Sequence, residues 1–109
     1  MAKTAAYIQK GEAIDYVNST EETIPAGTVI IFGKRIGIAG GEIPAGGLGA
    51  LHMTGVFEIP KKSAVALAAG DEVTFTDADG VDKATAGAVG YAVEAAAAEA
   101  ATAKNKLLG

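Results

Sequence analysis

The chain has no cysteine and no tryptophan, a single histidine and three prolines in 109 residues. Without cysteine there is no disulfide framework and no thiolate metal site. One histidine, His52, cannot build a histidine cluster. Aromatic residues make up only 6% of the chain, and much of its 50% apolar fraction is alanine. Alanine loses no side-chain entropy on burial but adds little apolar area, so the monomer's core is expected to be modest. No apolar run approaches the 18 residues needed to span a bilayer as a helix. The opening Met1-Ala2-Lys3-Thr4 has no apolar leader segment, and the expectation is a protein that stays soluble in a cytoplasm.

Positive charge is also scarce. Nine Lys and Arg face thirteen Asp and Glu, for a net charge of −4. A nucleic-acid-binding surface needs a cationic patch, and the only basic pairs are Lys34-Arg35 and Lys61-Lys62. Neither nucleic acid nor membrane is expected as a partner.

Catalytic and cofactor motifs fail residue by residue. A P-loop ending at Gly33-Lys34 would need glycine where Thr28 stands, and Ser or Thr where Arg35 stands. Gly47-Leu48-Gly49 would open a dinucleotide fingerprint, but His52 replaces its last glycine. Asp77-x-Asp79-Gly80-x-Asp82 is the best cation candidate, yet Ala88 occupies the position of the closing bidentate glutamate, so it reads as an acidic hairpin tip. Asp15, Glu58 and Glu94 border apolar strands and read as outward strand positions. His52 has no nucleophile partner, since Ser19 and Ser63 lie in turn-like sequence. No catalytic residue, metal site or cofactor is assigned.

What is plentiful is glycine. Fifteen glycines, about twice the usual share, are scattered between short Val/Ile/Phe runs. That pattern predicts many short strands joined by tight turns. A phrase recurs: Ile24-Pro25-Ala26-Gly27 leads into Thr28-Val29-Ile30-Ile31-Phe32, and Ile43-Pro44-Ala45-Gly46 leads into Gly47 to Leu51. A looser copy, Leu67-Ala68-Ala69-Gly70, leads into Asp71 to Thr76. Proline sets φ at the turn's start and glycine supplies the positive φ that closes it. The copies predict a meander or Greek key. Ile14 and Tyr16 alternate with Asp15 and Val17, and Gly33-Lys34-Arg35 turns into Ile36 to Ala39. Met53 to Ile59 forms a strand ended by Pro60. Asp77 to Gly80 is a hairpin turn, with Lys83 to Ala86 as its returning strand. Glu94 to Lys104 has helical propensity but neither cap nor apolar stripe, and is expected to form a strand pair turning near Ala98-Glu99-Ala100. The six aromatics fall one per predicted strand, the spacing of a core.

The segments Tyr7 to Thr20, Ile24-Pro25-Ala26-Gly27-Thr28-Val29, Gly55 to Lys61 and Gly90-Tyr91-Ala92-Val93-Glu94-Ala95-Ala96, in that order, resemble the capsid cement or decoration proteins of tailed bacteriophages, a family of formerly unknown function sometimes labelled recombinase-like. The resemblance runs from about Tyr7 to Leu108. It implies an all-β, small single-domain β-barrel or jelly-roll-like sandwich of short antiparallel strands, residues 7–109, behind a flexible N-terminal arm, residues 1–6. It further implies a homo-oligomer, dimer or trimer, bound over junctions of the major capsid protein on the outer capsid surface of the virion, stabilising the head and assembled in the host cytoplasm. The sequence departs from the family at Glu99-Ala100-Ala101, where a clearer Gly/Asp turn is usual. The expected contact residues are Ala5, Ala6, Tyr7 and Ile8, adding a strand to a neighbour's sheet edge, and Lys61 and Lys62, meeting an acidic surface. A tail or host-surface accessory is the alternative, separable by copy number per particle.

Overall fold

A computed structural model of the chain describes residues 2–109. Its regular structure consists of nine strands, with no helix among the described residues. One antiparallel sheet holds β1 (Ala13–Val17), β2 (Val29–Phe32), β3 (Arg35–Ala39) and β4 (Leu48–His52) in the order β1-β4-β3-β2. The other holds β5 (Thr54–Pro60), β6 (Glu72–Thr76), β7 (Gly80–Lys83), β8 (Gly90–Ala92) and β9 (Thr102–Leu108) in the order β5-β9-β8-β6-β7. The sandwich-like all-β class matches the expectation, but neither sheet closes into a barrel. Lys61 bridges Val81 and so ties the ends of the second sheet at one corner only.

The two sheets are copies of one Greek key, with strand four returning beside strand one. β1, β2, β3 and β4 correspond to β5, β6, β8 and β9, and β7 is the second half's addition. The correspondence extends to single hydrogen bonds. Ile24 and Ile43 exchange N–H···O bonds of 2.9 Å in both directions, and so do Leu67 and Ala96. The N–H of Gly27 donates to the Ala39 carbonyl, as that of Gly70 does to Ala92. Ile30 lies opposite Gly37, as Val73 lies opposite Gly90.

The recurring phrase is therefore the joint of each Greek key, and a further copy exists at Ala96-Ala97-Ala98-Glu99. There the Ala100 N–H closes on the Ala97 carbonyl at 3.0 Å. This copy has neither proline nor glycine. The pairing of Ala96 with Leu67 and of β9 with β5 overrides alanine's helical preference. The tail is thus strand and turn rather than helix, with the turn at Ala98-Glu99 as expected, but β9 pairs with β5 and with β8 (Gly90–Ala92), and residues 93–101 form no strand of their own.

A chemical substitution within the phrase is also readable. Pro25 has no N–H, and the Thr28 hydroxyl donates to its carbonyl at 2.7 Å. Ala68 replaces the proline and exposes an N–H, which the Asp71 carboxylate accepts at 2.8 Å. The residue that closes the turn changes from donor to acceptor as the turn gains a donor.

β3 is shared between two clusters. Ile36 and Ile38 pack with Ile59, Leu67, Val73, Val81, Ala103 and Leu107 in the second half. Ala39 on the opposite face joins Ile30, Ile43, Leu51 and Met53. A side chain at Gly37 would collide with Leu51 and Met53, so this strand packs on both faces only with glycine there. Each fully buried Ile, Leu or Val stabilises the fold by roughly 1.5–3 kcal/mol.

Two expectations need correction. The aromatics are not the core: none of the six is buried, and Phe32 is 45% exposed. The short strands place branched aliphatics on the inward face and leave Tyr16, Phe57 and Phe75 packed at its margins. The strand returning from the Asp77 turn is Gly80–Lys83, not Lys83 to Ala86. Gly80, at φ +81°, lets the chain reverse after three residues, so Thr76 already pairs with Gly80. The run Ala5 to Gln9 is exposed and precedes the first strand.

Candidate contact surfaces

The acidic groups expected at the hairpin tip do not converge. Asp77 and Asp79 are exposed, while Asp82 faces Lys62, with 3.7 Å between carboxylate and ammonium. No group of three His, Cys, Asp or Glu stands close enough to hold a metal ion among the described residues. His52 is exposed near the end of β4, its ring against Gly40. Asp15, Glu58 and Glu94 are all exposed, and Glu94 pairs with Lys104 at 3.5 Å. An open cleft of about 490 Å³ is lined by Ile31, Lys34, Arg35, Ile36, Phe75 and Val89 among others. Its charged lining is basic only, with no carboxylate to complete an acid–base pair.

The expected contact residues separate into three kinds. Ala5, Ala6, Tyr7 and Ile8 lie in an exposed stretch without secondary structure, with Tyr7 81% and Ile8 84% exposed. Large apolar side chains in that state are available to a partner. Lys62 is half-buried at the end of β5, with its amide donating to the Val81 carbonyl and its ammonium facing Asp82.

Lys61 is a correction. It is 6% exposed, and its ammonium donates to the carbonyls of Lys62 at 2.9 Å, Ala98 at 3.0 Å and Val65. All three ammonium protons are committed to main-chain acceptors, so the side chain cannot meet an acidic surface. A Lys-Lys pair after a strand reads as solvated. Only the tertiary fold shows that the carbonyls of two turns converge on Lys61.

The structure adds apolar surface that sequence reading missed. Val17 and Leu48, paired across β1 and β4, are both exposed, as are Ile31 and Phe32 on β2 and Val56 and Leu108 on the second sheet. Val17 and Leu48 share one face as a cross-strand pair, whereas the adjacent Ile31 and Phe32 point to opposite faces and both stay exposed on β2, the outer strand of its sheet; a uniformly apolar run such as Val29 to Phe32 gives no sequence signal of this.

Among the titratable groups, Asp71 has its carboxyl held below the ordinary carboxylate range. The Ala68 N–H is the main cause, opposed by partial desolvation and aided by Lys83 at 3.5 Å.

A family model described as phage cement protein matches residues 8–107 of the chain. No curated protein and no solved structure matches it.

Proposed function

The chain belongs to the phage cement protein family, a structural family associated with the phage capsid, and on that premise we propose that it binds the outer surface of the major capsid protein shell and stabilises the virion head. The observation that carries this reading is the family match across nearly every strand, residues 8–107. The surface is consistent with it: large apolar side chains stand exposed on both sheets.

In this reading, the stretch Ala2 to Ile8 orders on the capsid by adding a strand to a neighbouring sheet edge. Lys62 remains a candidate contact, whereas Lys61 does not. Many identical copies, each gaining modest affinity, would brace the lattice by avidity. The test is binding of the purified protein to expanded capsids that lack it, comparing the whole chain with one deleted from Ala2 to Ile8. Specific binding that weakens with the deletion supports the reading. Absence of binding by the whole chain overturns it.

A further inference from the structure

The two Greek keys differ at one edge. In the second half, the outer edge of β6 is covered by β7. In the first half, the corresponding edge of β2 is bare. Exposed strand edges are templates for further pairing, and proteins usually guard them with charge or proline. The other outer strands carry such guards: Asp15 in β1, Glu58 and Pro60 in β5, Asp82 and Lys83 in β7. β2 reads Val-Ile-Ile-Phe, with Ile31 46% and Phe32 45% exposed.

The ladder fixes which main-chain groups face outward. The Ala39 N–H donates to the Thr28 carbonyl, and Phe32 lies opposite Arg35 across the Gly33-Lys34 turn. Thr28, Ile30 and Phe32 therefore bond inward to β3, and Val29 and Ile31 turn their N–H and C=O groups outward.

We propose that the edge of β2 pairs antiparallel with β2 of a second copy about a two-fold axis. Charge complementarity selects this occupant. Glu21 and Glu22 sit beside Pro25 and Thr28 at the start of β2, and Lys34 and Arg35 follow its end. Antiparallel self-pairing centred on Ile30 sets Val29 against Ile31 of the second copy. It also carries the basic end of each chain to the acidic end of the other, twice. The strand of the second copy then takes the place that β7 holds in the second half. The contact is short, so it favours association where copies are crowded.

The proposal goes beyond the capsid reading and is tested on the protein alone, so its failure leaves that reading standing. Analytical ultracentrifugation of the full chain, up to about 1 mM, is expected to show a monomer–dimer equilibrium. Ile31→Pro removes only an outward N–H and two main-chain hydrogen bonds per dimer, and should weaken dimerisation by roughly tenfold or more. Should that variant fail to fold by circular dichroism, the charge pairs decide. Lys34→Glu with Arg35→Glu should weaken the dimer, and adding Glu21→Lys with Glu22→Lys should restore it. A wild-type chain that stays monomeric, a folded Ile31→Pro that still dimerises, or charge reversal without effect overturns the proposal.

Discussion

Asn18 and Lys61 hold the same place in the two halves of the molecule, directly after the first strand of each Greek key, and both are buried polar groups serving as clamps. The Asn18 amide donates to the carbonyls of Glu22 at 2.7 Å and Ile43 at 3.0 Å. The Lys61 ammonium donates to the carbonyls of Val65 and Ala98, among others. Each side chain reaches four residues ahead and across to the opposite turn. The halves solve one problem, how to satisfy converging carbonyls, with different donors.

Removing either clamp should be costly. Lys61→Met keeps the stem but strips the donor from three carbonyls, and Asn18→Ala does the same in the first half. Each variant is expected to lose roughly 2–3 kcal/mol in denaturant-induced unfolding: Lys61→Met leaves the Lys62 and Val65 carbonyls without their donor, and Asn18→Ala removes the side-chain hydrogen bonds to Glu22 and Ile43 at a fully buried position. Losses no larger than those of an exposed control such as Lys104→Met would show that the clamps carry no such load.

Asn105 presents the opposite case. It lies on β9 opposite Phe57, where the first half has Leu51 opposite Ile14. Its Nδ2 donates to the Ala103 carbonyl at 3.0 Å, and its Oδ1 is buried without a partner. Asn105→Leu copies the first half's solution and should stabilise the fold by about 1 kcal/mol or more. A raised denaturation midpoint at unchanged m-value is the expected result.

Gly80 is constrained twice. Its φ is +81°, and a side chain there would meet the Pro60 carbonyl where the ends of the second sheet meet. Gly80→Ala should cost roughly 2–4 kcal/mol, the sum of a backbone penalty and overpacking. Gly27→Ala, at a positive φ with open space around it, should cost about 1 kcal/mol, which separates the two effects by thermal unfolding.

Asp71 sets an acid dependence. Its folded pKa is lowered, so the unfolded chain takes up the proton first as pH falls. Its contribution is complete above the ordinary aspartate range and disappears as pH drops through the folded value. Unfolding between pH 6 and 2, of the order where carboxylates titrate, should show a shallower acid loss for Asp71→Asn than for the wild type.

Much of this fold was legible in the sequence. The phrase Ile-Pro-Ala-Gly announced its own turns because proline and glycine restrict φ locally. Asp79-Gly80 announced the β6–β7 turn in the same way. The non-helical tail was legible only by default, from the helix cap and stripe it lacks. The joint at Ala96 to Glu99 carries no local signal, since its turn is imposed by pairing with Leu67. The fate of Lys61 was hidden for a similar reason: its acceptors come from two turns far apart in the chain. Aromatic spacing misled because it matches strand spacing without specifying which face is inward.

Co-sedimentation with expanded capsids lacking the protein, with bound copies counted per particle, tests the central claim most directly. Saturation at a fixed, high copy number is the predicted result. No binding, or binding of only a handful of copies at a single vertex, would contradict a cement role and point to a tail or host-surface accessory instead.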